Sequence, residues 1–186
     1  SYRNLGRSGL LLSGGATLGF YHLGVLRALW QVGLLPEVVV GASMGAMVAA
    51  GIAGRTDAEL DELFEPPAPN IQTRGLEWRT FTEAWRTKSM MRPERMLAVI
   101  EANCGHYTFA QAFERSGRIL NISLMPTRSR QRPRLLCHLT APDVWVPRAA
   151  LASSAVPGLF PPVALTRRPL GSEDTTEAPY IDGETW

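Results

Sequence analysis

The segment Val38-Val39-Val40-Gly41-Ala42-Ser43-Met44-Gly45-Ala46 decides the fold of this chain. Its three valines predict a buried parallel strand, and the small residues from Ser43 to about Ala53 predict a helix. Between strand and helix lies a Gly-x-Ser-x-Gly sequence, with Gly41 and Gly45 flanking the serine. A nucleophile elbow requires this order, because the tight turn leaves no room for side chains two residues before and after the nucleophile. We therefore expect Ser43 to be a nucleophile; the alternative is a helix cap beside glycines that serve packing.

The same strand–turn–helix order precedes this segment. Residues 9–12 predict a short apolar strand, and residues 17–31 predict a helix that is apolar on most sides and so largely buried. Strand, helix, strand, helix within the first 55 residues are typical of an α/β fold with a parallel sheet.

The glycines between the first strand and helix predict an anion site, since such a turn presents backbone N–H groups at a helix N-terminus. The anion could be a nucleotide phosphate or the oxyanion of a tetrahedral intermediate. A dinucleotide site needs a third glycine where Ala16 stands and an acidic residue about 20 positions later, which is not obvious here. No Gly-Lys-Ser/Thr sequence follows, so a P-loop is excluded. Beside a nucleophile elbow, the oxyanion interpretation is favoured.

The rest of the chain alternates predicted helices with two predicted strands. Helices are expected at residues 57–64, 76–88, 93–103, 108–115 and 147–155, and strands at 118–124 and 134–139. In the helix at 76–88, Trp78, Phe81 and Trp85 form one aromatic stripe, which either meets a lipid surface or packs into the core.

Composition excludes several classes of protein. The 186 residues, 45% hydrophobic and 19% charged, suit one folded domain and exclude a disordered chain. Two cysteines cannot form a disulfide framework or a four-cysteine zinc site, and a net charge of +2 argues against a nucleic-acid binder. The chain starts at Ser1 without a methionine, so we expect an excerpt of a longer protein.

The base that would activate Ser43 is not an evident histidine. In α/β-hydrolases the histidine follows the acid, yet none of the three histidines follows Asp182. His22 lies in a predicted buried helix, where we expect a core or hydrogen-bonding role, while His106 lies in a predicted loop and His138 in a predicted strand. Asp182 follows an apolar pair and precedes a glycine, and a carboxylate can take the serine proton directly. The alternative is an ordinary turn aspartate.

Four segments, in order, resemble the motifs of patatin-like phospholipases. They are residues 14–19, 41–45, 152–162 and 182–183, and the resemblance extends from about Leu5 to Gly183. Residues 108–115, 117–122 and 139–143 further resemble the triacylglycerol-lipase branch of that family.

This resemblance implies a three-layer α/β/α fold with a mainly parallel central sheet, and one acyl-hydrolase catalytic domain over residues 1–186. It implies a Ser–Asp dyad of Ser43 and Asp182. The backbone amides of Gly14, Gly15 and Ala16 would form the oxyanion hole. Ala16 departs from the usual glycine, and Glu184 stands where the family usually has a small residue.

The function expected from these observations is hydrolysis of fatty acyl esters of glycerolipids, as a triacylglycerol lipase or phospholipase. The alternatives are a lysophospholipid acyltransferase, a catalytically silent lipid-binding module and a nucleotide-binding domain. No metal or organic cofactor is expected, and no protein partner can be inferred. We expect a cytoplasmic protein that meets its glycerolipid substrate at a membrane or lipid-droplet surface.

Overall fold

A computed structural model of the chain describes residues 8–65, 93–126, 132–155 and 160–168, and the backbone of residues 178–179. A 3-10 helix, Ala16–Phe20, leads directly into the first α-helix. The strands and helices, in chain order, are β1 (Gly9–Leu12), α1 (Tyr21–Gln31), β2 (Val38–Gly41), α2 (Met44–Ala53), α3 (Asp57–Phe64), α4 (Pro93–Cys104), α5 (Phe109–Ser116), β3 (Ile119–Leu124), β4 (Arg134–Leu136), α6 (Val146–Ser154), β5 (Thr166–Arg167) and β6 (Ala178–Pro179).

The main sheet has four strands in the order β1-β2-β3-β4. Strand β2 pairs in parallel with both β1 and β3, while β4 runs antiparallel to β3. Gly41, at the end of β2, is in register with Leu12 on one side and Ile122 on the other. The carboxyl ends of three strands therefore meet at one edge, which is where ligands bind in open α/β sheets. The predicted α/β fold with a mainly parallel sheet is confirmed.

Helix α2 is the centre of the core. It contacts all three parallel strands as well as α4 and α6. Its alanines and glycines let it lie close to the sheet, and apart from the half-buried Met44 and Met47 its side chains are buried (Ala46, Ala49, Ala50 and Ala53, with Val48 and Ile52). The small-residue sequence after Ser43 thus forms a largely buried helix at the position where the chain leaves β2.

Helix α1 contradicts the prediction that it is largely buried. Leu26 is fully buried, but Tyr21 is 77% and Val25 is 49% exposed, and Leu18 in the preceding 3-10 helix is 68% exposed. The helix meets the core along one side, where Leu23 and Trp30 pack beside Leu26. The opposite side of the helix is also apolar, yet no other described element covers it.

Strand β4 ends earlier than predicted, at Leu136 rather than at Leu139. The cause is Thr140, whose hydroxyl donates to the Leu135 carbonyl at 3.0 Å and accepts from the Cys137 N–H at 3.0 Å. These two bonds close a turn, so His138 lies in that turn and not in a strand.

The predicted helices at 57–64, 93–103, 108–115 and 147–155 are present with ends within one residue, the usual uncertainty of a helix end. The predicted helix at 76–88, with its aromatic stripe, lies outside the described residues. Among the helices the structure describes, none combines the length and the hydrophobicity needed to cross a membrane.

Candidate active site

Ser43 lies in a tight turn between β2 and α2. It precedes the first residue of α2 and has backbone angles φ 52° and ψ −123°, outside the helical and strand regions. A β-carbon on Gly41 would lie 2.5 Å from the Gly45 carbonyl oxygen, and one on Gly45 would overlap the Leu12 carbonyl oxygen. Strand β1 and helix α2 thus pass so close to the turn that only glycine fits on either side of the serine.

Positive φ values mark two loops at this edge of the sheet. Among the described residues other than glycine, positive φ occurs at Ser43 (52°) and at Ala16 (48°). A residue with a β-carbon loses roughly 1–2 kcal/mol in the left-handed region. Strained backbone conformations of this kind are concentrated at functional sites. Here the two strained residues lie in the predicted nucleophile elbow and in the predicted anion-binding loop.

The loop after β1 lies against the elbow. A β-carbon on Gly14 would lie 3.0 Å from the Ser43 β-carbon and 3.6 Å from Ser43 Oγ. The loop is exposed from Ser13 to Leu18. Within the part of the chain that the structure describes, the N–H groups of Gly14, Gly15 and Ala16 have no backbone acceptor. This exposed loop therefore contacts Ser43 at Gly14 and carries three amides that make no backbone hydrogen bond among the described residues.

Two further contacts hold this loop, and the sequence alone does not identify the partner in either. A β-carbon on Gly19 would overlap the Met44 side chain, so the 3-10 helix packs directly on the first residue of α2. His22 Nε2 lies 2.8 Å from the Ser13 carbonyl oxygen. A carbonyl only accepts, so Nε2 donates, and the His22 ring ties α1 to the start of the loop. The predicted hydrogen-bonding role of His22 agrees with this contact.

The backbone of Ser43 is held from both sides. Its carbonyl oxygen accepts from the N–H groups of Ala46 at 2.8 Å and Met47 at 3.2 Å, the first bonds of α2. Its N–H donates to Ser153 Oγ at 2.9 Å, near the end of α6. In the sequence, Ser153 stands out only as part of a segment that resembles a family motif. The long separation along the chain left no local signal for this bond.

The other two histidines lie away from the elbow. Tyr107, next to His106, packs on Gly54, which follows the last residue of α2. A helix of 10 residues is about 15 Å long, so this contact lies at the opposite end of α2 from Ser43. The His106 ring contacts Trp145 at 4.1 Å between centroids.

His138 follows β4 toward the amino end of the sheet, and its ring stacks on Phe113 at 4.0 Å. Neither ring is placed to take a proton from Ser43.

Asp182, the predicted base, lies outside the described residues, as do Gly183 and Glu184. Its position near Ser43 therefore stays a prediction. Among the described residues, no group of three or more His, Cys, Asp or Glu side chains is placed to hold a metal ion.

Comparison with known proteins identifies the family. The family model for patatin-like phospholipases matches residues 10–185. The chain belongs to the patatin-like phospholipase family. It thus carries the domain of a family of lipid-ester hydrolases, as the sequence motifs predicted.

The patatin-like relatives include fungal proteins of similar sequence over nearly the whole chain. The chain is 42% identical over 186 residues to a patatin-like phospholipase domain-containing protein of Neosartorya fischeri, covering 98% of this chain and 26% of that protein. It is 42% identical over 186 residues to one of Aspergillus niger, with 98% and 24% covered, and 41% identical over 187 residues to one of Neurospora crassa, with 98% and 21% covered. The chain spans about a quarter of the length of these relatives.

A solved structure shares the patatin-like fold. The structure of full-length ExoU, in complex with SpcU, from the type III secretion system of Pseudomonas aeruginosa superposes with a TM-score of 0.55. The identity is 18%, with 83% of this chain and 39% of ExoU covered, so the likeness concerns the fold alone.

Proposed function

We propose that this chain hydrolyses fatty acyl esters of glycerolipids through a Ser–Asp dyad. The observation that supports the proposal most is the strained backbone of Ser43 in contact with the loop of Gly14, Gly15 and Ala16, whose amides have no backbone acceptor among the described residues. A serine hydroxyl next to a set of free N–H donors is the arrangement that acyl transfer needs.

In the proposed reaction, Ser43 Oγ attacks the ester carbonyl while Asp182 takes the hydroxyl proton. The carbonyl oxygen, which becomes negatively charged, accepts hydrogen bonds from the loop amides. It also faces the N-terminus of α2, whose helix dipole favours negative charge. The intermediate then expels the alcohol, which takes the proton from Asp182, and leaves an acyl group on Ser43. Water gives a proton to Asp182, attacks the acyl group and releases the fatty acid, and Ser43 regains its proton.

A carboxylate base is preferred because the histidines have other roles. His22 Nε2 is engaged with the Ser13 carbonyl, and His106 and His138 lie away from the elbow. Asp182 is proposed for this role because Asp182-Gly183 resembles the motif that holds the family's catalytic aspartate and lies within the residues that the family model matches.

The proposed substrates are triacylglycerols and phospholipids, met at a membrane or lipid-droplet surface on the cytoplasmic side. Residues 108–115, 117–122 and 139–143 resemble the triacylglycerol-lipase branch, which favours neutral lipid. The aromatic stripe predicted for Trp78, Phe81 and Trp85, with its basic neighbours, suits contact with a lipid surface, and packing into the core is the alternative.

Covalent labelling tests the nucleophile and its base. The chain is treated with a fluorophosphonate, and the modified peptide is identified by mass spectrometry. We expect one adduct, on Ser43, no adduct in Ser43→Ala, and labelling slowed by several orders of magnitude in Asp182→Asn. Ser8→Ala, which removes an exposed serine just before the start of β1, at the opposite end of that strand from the elbow, should label at the rate of the unmodified chain. An adduct on another serine, or normal labelling of Asp182→Asn, contradicts the dyad.

A lipid panel tests the substrate. Trioleoylglycerol emulsion, dioleoylphosphatidylcholine vesicles and a lysophospholipid acceptor are supplied separately and together, and fatty acid and acylated products are separated. Released fatty acid without an acceptor supports hydrolysis. Acyl transfer to the lysophospholipid that exceeds fatty acid release would indicate an acyltransferase, and absence of both products would indicate a lipid-binding module.

A further inference from the structure

Ser153 joins the nucleophile elbow to the third strand of the sheet. Its Oγ accepts the N–H of Ser43 at 2.9 Å and donates to the carbonyl oxygen of Ser123 at 2.8 Å. A serine hydroxyl has one hydrogen, and a carbonyl oxygen can only accept. The hydrogen therefore points to Ser123, and a lone pair faces the Ser43 N–H, so the direction of both bonds is fixed.

Both neighbours of Ser153 in this chain of bonds are themselves anchored. Ser123 lies in β3, beside β2, and its own hydroxyl lies 3.4 Å from the Gly41 carbonyl oxygen at the start of the elbow. Ser153 is the second-last residue of α6, a helix that packs against both α2 and β3. The sheet and two helices thus share the position of the Ser153 hydroxyl.

The Ser43 amide needs an acceptor of this kind. The adjacent Ala42 N–H bonds to the Leu12 carbonyl of β1 at 3.1 Å, and the Gly45 N–H bonds to the Ala42 carbonyl at 2.9 Å. At the elbow between them, the chain has turned out of β2 with φ 52° and has not yet entered α2. Without the Ser153 hydroxyl, the strained peptide would lose the one hydrogen bond that its N–H makes within the described residues.

We infer that Ser153 is a positioning residue for the acyl transfer, an inference that rests on the proposed function of Ser43. The torsion angles of Ser43 set where its Oγ lies relative to the amides of the Gly14 loop. By holding the Ser43 amide, Ser153 fixes those angles and keeps the hydroxyl in line with the ester carbonyl. A displacement of about 1 Å at a reacting atom lowers a rate by about 100-fold.

The test compares variants at two neighbouring serines. Ser153→Ala removes the acceptor, Ser153→Thr keeps a hydroxyl, and Ser153→Val has the shape of threonine without it. Ser154→Ala is the matched control, because Ser154 is buried in the same helix. Its hydroxyl donates to the Ala150 carbonyl of that helix at 2.9 Å and so does not touch the elbow. The measurements are kcat and KM on a short-chain ester, the rate of fluorophosphonate labelling, and the melting temperature. Rates are divided by the fraction of molecules that label at completion, so unfolded protein does not lower them.

We expect Ser153→Ala and Ser153→Val to lower kcat by about 10- to 100-fold with KM nearly unchanged, and to slow labelling by the same factor. Ser153→Thr should recover most of kcat, and Ser154→Ala should keep full kcat. Equal kcat for the Thr and Val variants would overturn the inference, as would a Ser153→Ala chain that reacts like Ser154→Ala. Failure of the proposed function looks different, since the unmodified chain would then not label at all.

Discussion

Gly14 lies directly against Ser43, so that a β-carbon on Gly14 would be 3.0 Å from the serine β-carbon and 3.6 Å from its hydroxyl oxygen. The two residues are brought together because β1 and β2 are adjacent and parallel, and each loop leaves its strand at the same edge. The contact between the loop after β1 and the strained Ser43 therefore follows from the strand order. The same contact leaves no room for a side chain at position 14 unless the serine or the loop shifts.

Gly14→Ala is expected to lower activity while the fold survives. The added methyl group meets the Ser43 side chain at a separation tighter than ordinary van der Waals contact, so the serine or the loop must move by a few tenths of an ångström. We expect kcat on a short-chain ester to fall about 10- to 100-fold, measured beside the melting temperature. Gly9→Ala, in the preceding strand β1, is the control, because its β-carbon would have its nearest neighbour at 3.7 Å. Unchanged kcat in Gly14→Ala would contradict the placement of this loop at the reacting atoms.

Gly45→Ala is expected to destabilise the whole fold. Its β-carbon would overlap the carbonyl of Leu12, a backbone group in the middle of the structure that cannot rotate away. The cost should be about 3 kcal/mol or more of the free energy of unfolding, measured by urea denaturation. Gly24→Ala offers the opposite case, since nothing lies within 4 Å of a β-carbon at that exposed position of α1. There alanine should raise stability by about 0.5–1 kcal/mol. Similar effects of the two substitutions would contradict the close approach of β1 to α2.

The sequence predicts one part of this structure and leaves another part open. The strands, the elbow and most helix boundaries follow from local patterns: the valines of β2, the small residues of α2, and the Thr56 and Thr108 that cap α3 and α5. The bond between Ser43 and Ser153 joins residues 110 positions apart and leaves no periodic signal.

The exposure of α1 was not predictable either, because an apolar side chain indicates a preference for burial and not whether another element covers it. The base is a different case. Asp182 is inferred from a motif, and its distance from Ser43 stays a prediction.

His22 is expected to act through its hydrogen bond to the Ser13 carbonyl and not as a base. Glutamine at this position can place an amide N–H where the imidazole Nε2 donates, but it cannot take a proton at neutral pH. We therefore expect His22→Gln to keep kcat within a few-fold of the unmodified chain. His22→Leu, which has no donor, should lower kcat by about tenfold by loosening the loop. A His22→Gln chain that is folded and as inactive as Ser43→Ala would identify a Ser–His system.

Cys104 provides a pH-dependent test of the core. It is the last residue of α4, and burial raises the pKa of its thiol from an ordinary value of 9.0 to about 12. The folded state keeps the thiol proton throughout that interval, whereas the unfolded state loses it above pH 9. Stability from this group is therefore fully present below pH 9 and falls as the pH rises toward 12, by up to about 1.4 kcal/mol per pH unit.

The measurement is the free energy of unfolding of the unmodified chain minus that of Cys104→Ala, followed from pH 8 to pH 11. Subtraction removes the titration of groups that both chains share. We expect this difference to decrease steadily above pH 9. Cys137→Ala is the control: burial raises the pKa of the Cys137 thiol, but hydrogen bonds with Thr140 and with the backbone of Leu139 and Thr140 outweigh it and lower the pKa. The corresponding difference for Cys137 should not decrease as the pH rises. A difference for Cys104 that is flat up to pH 11 would show that its thiol is accessible to water and that α4 does not pack against α2 as the structure has it.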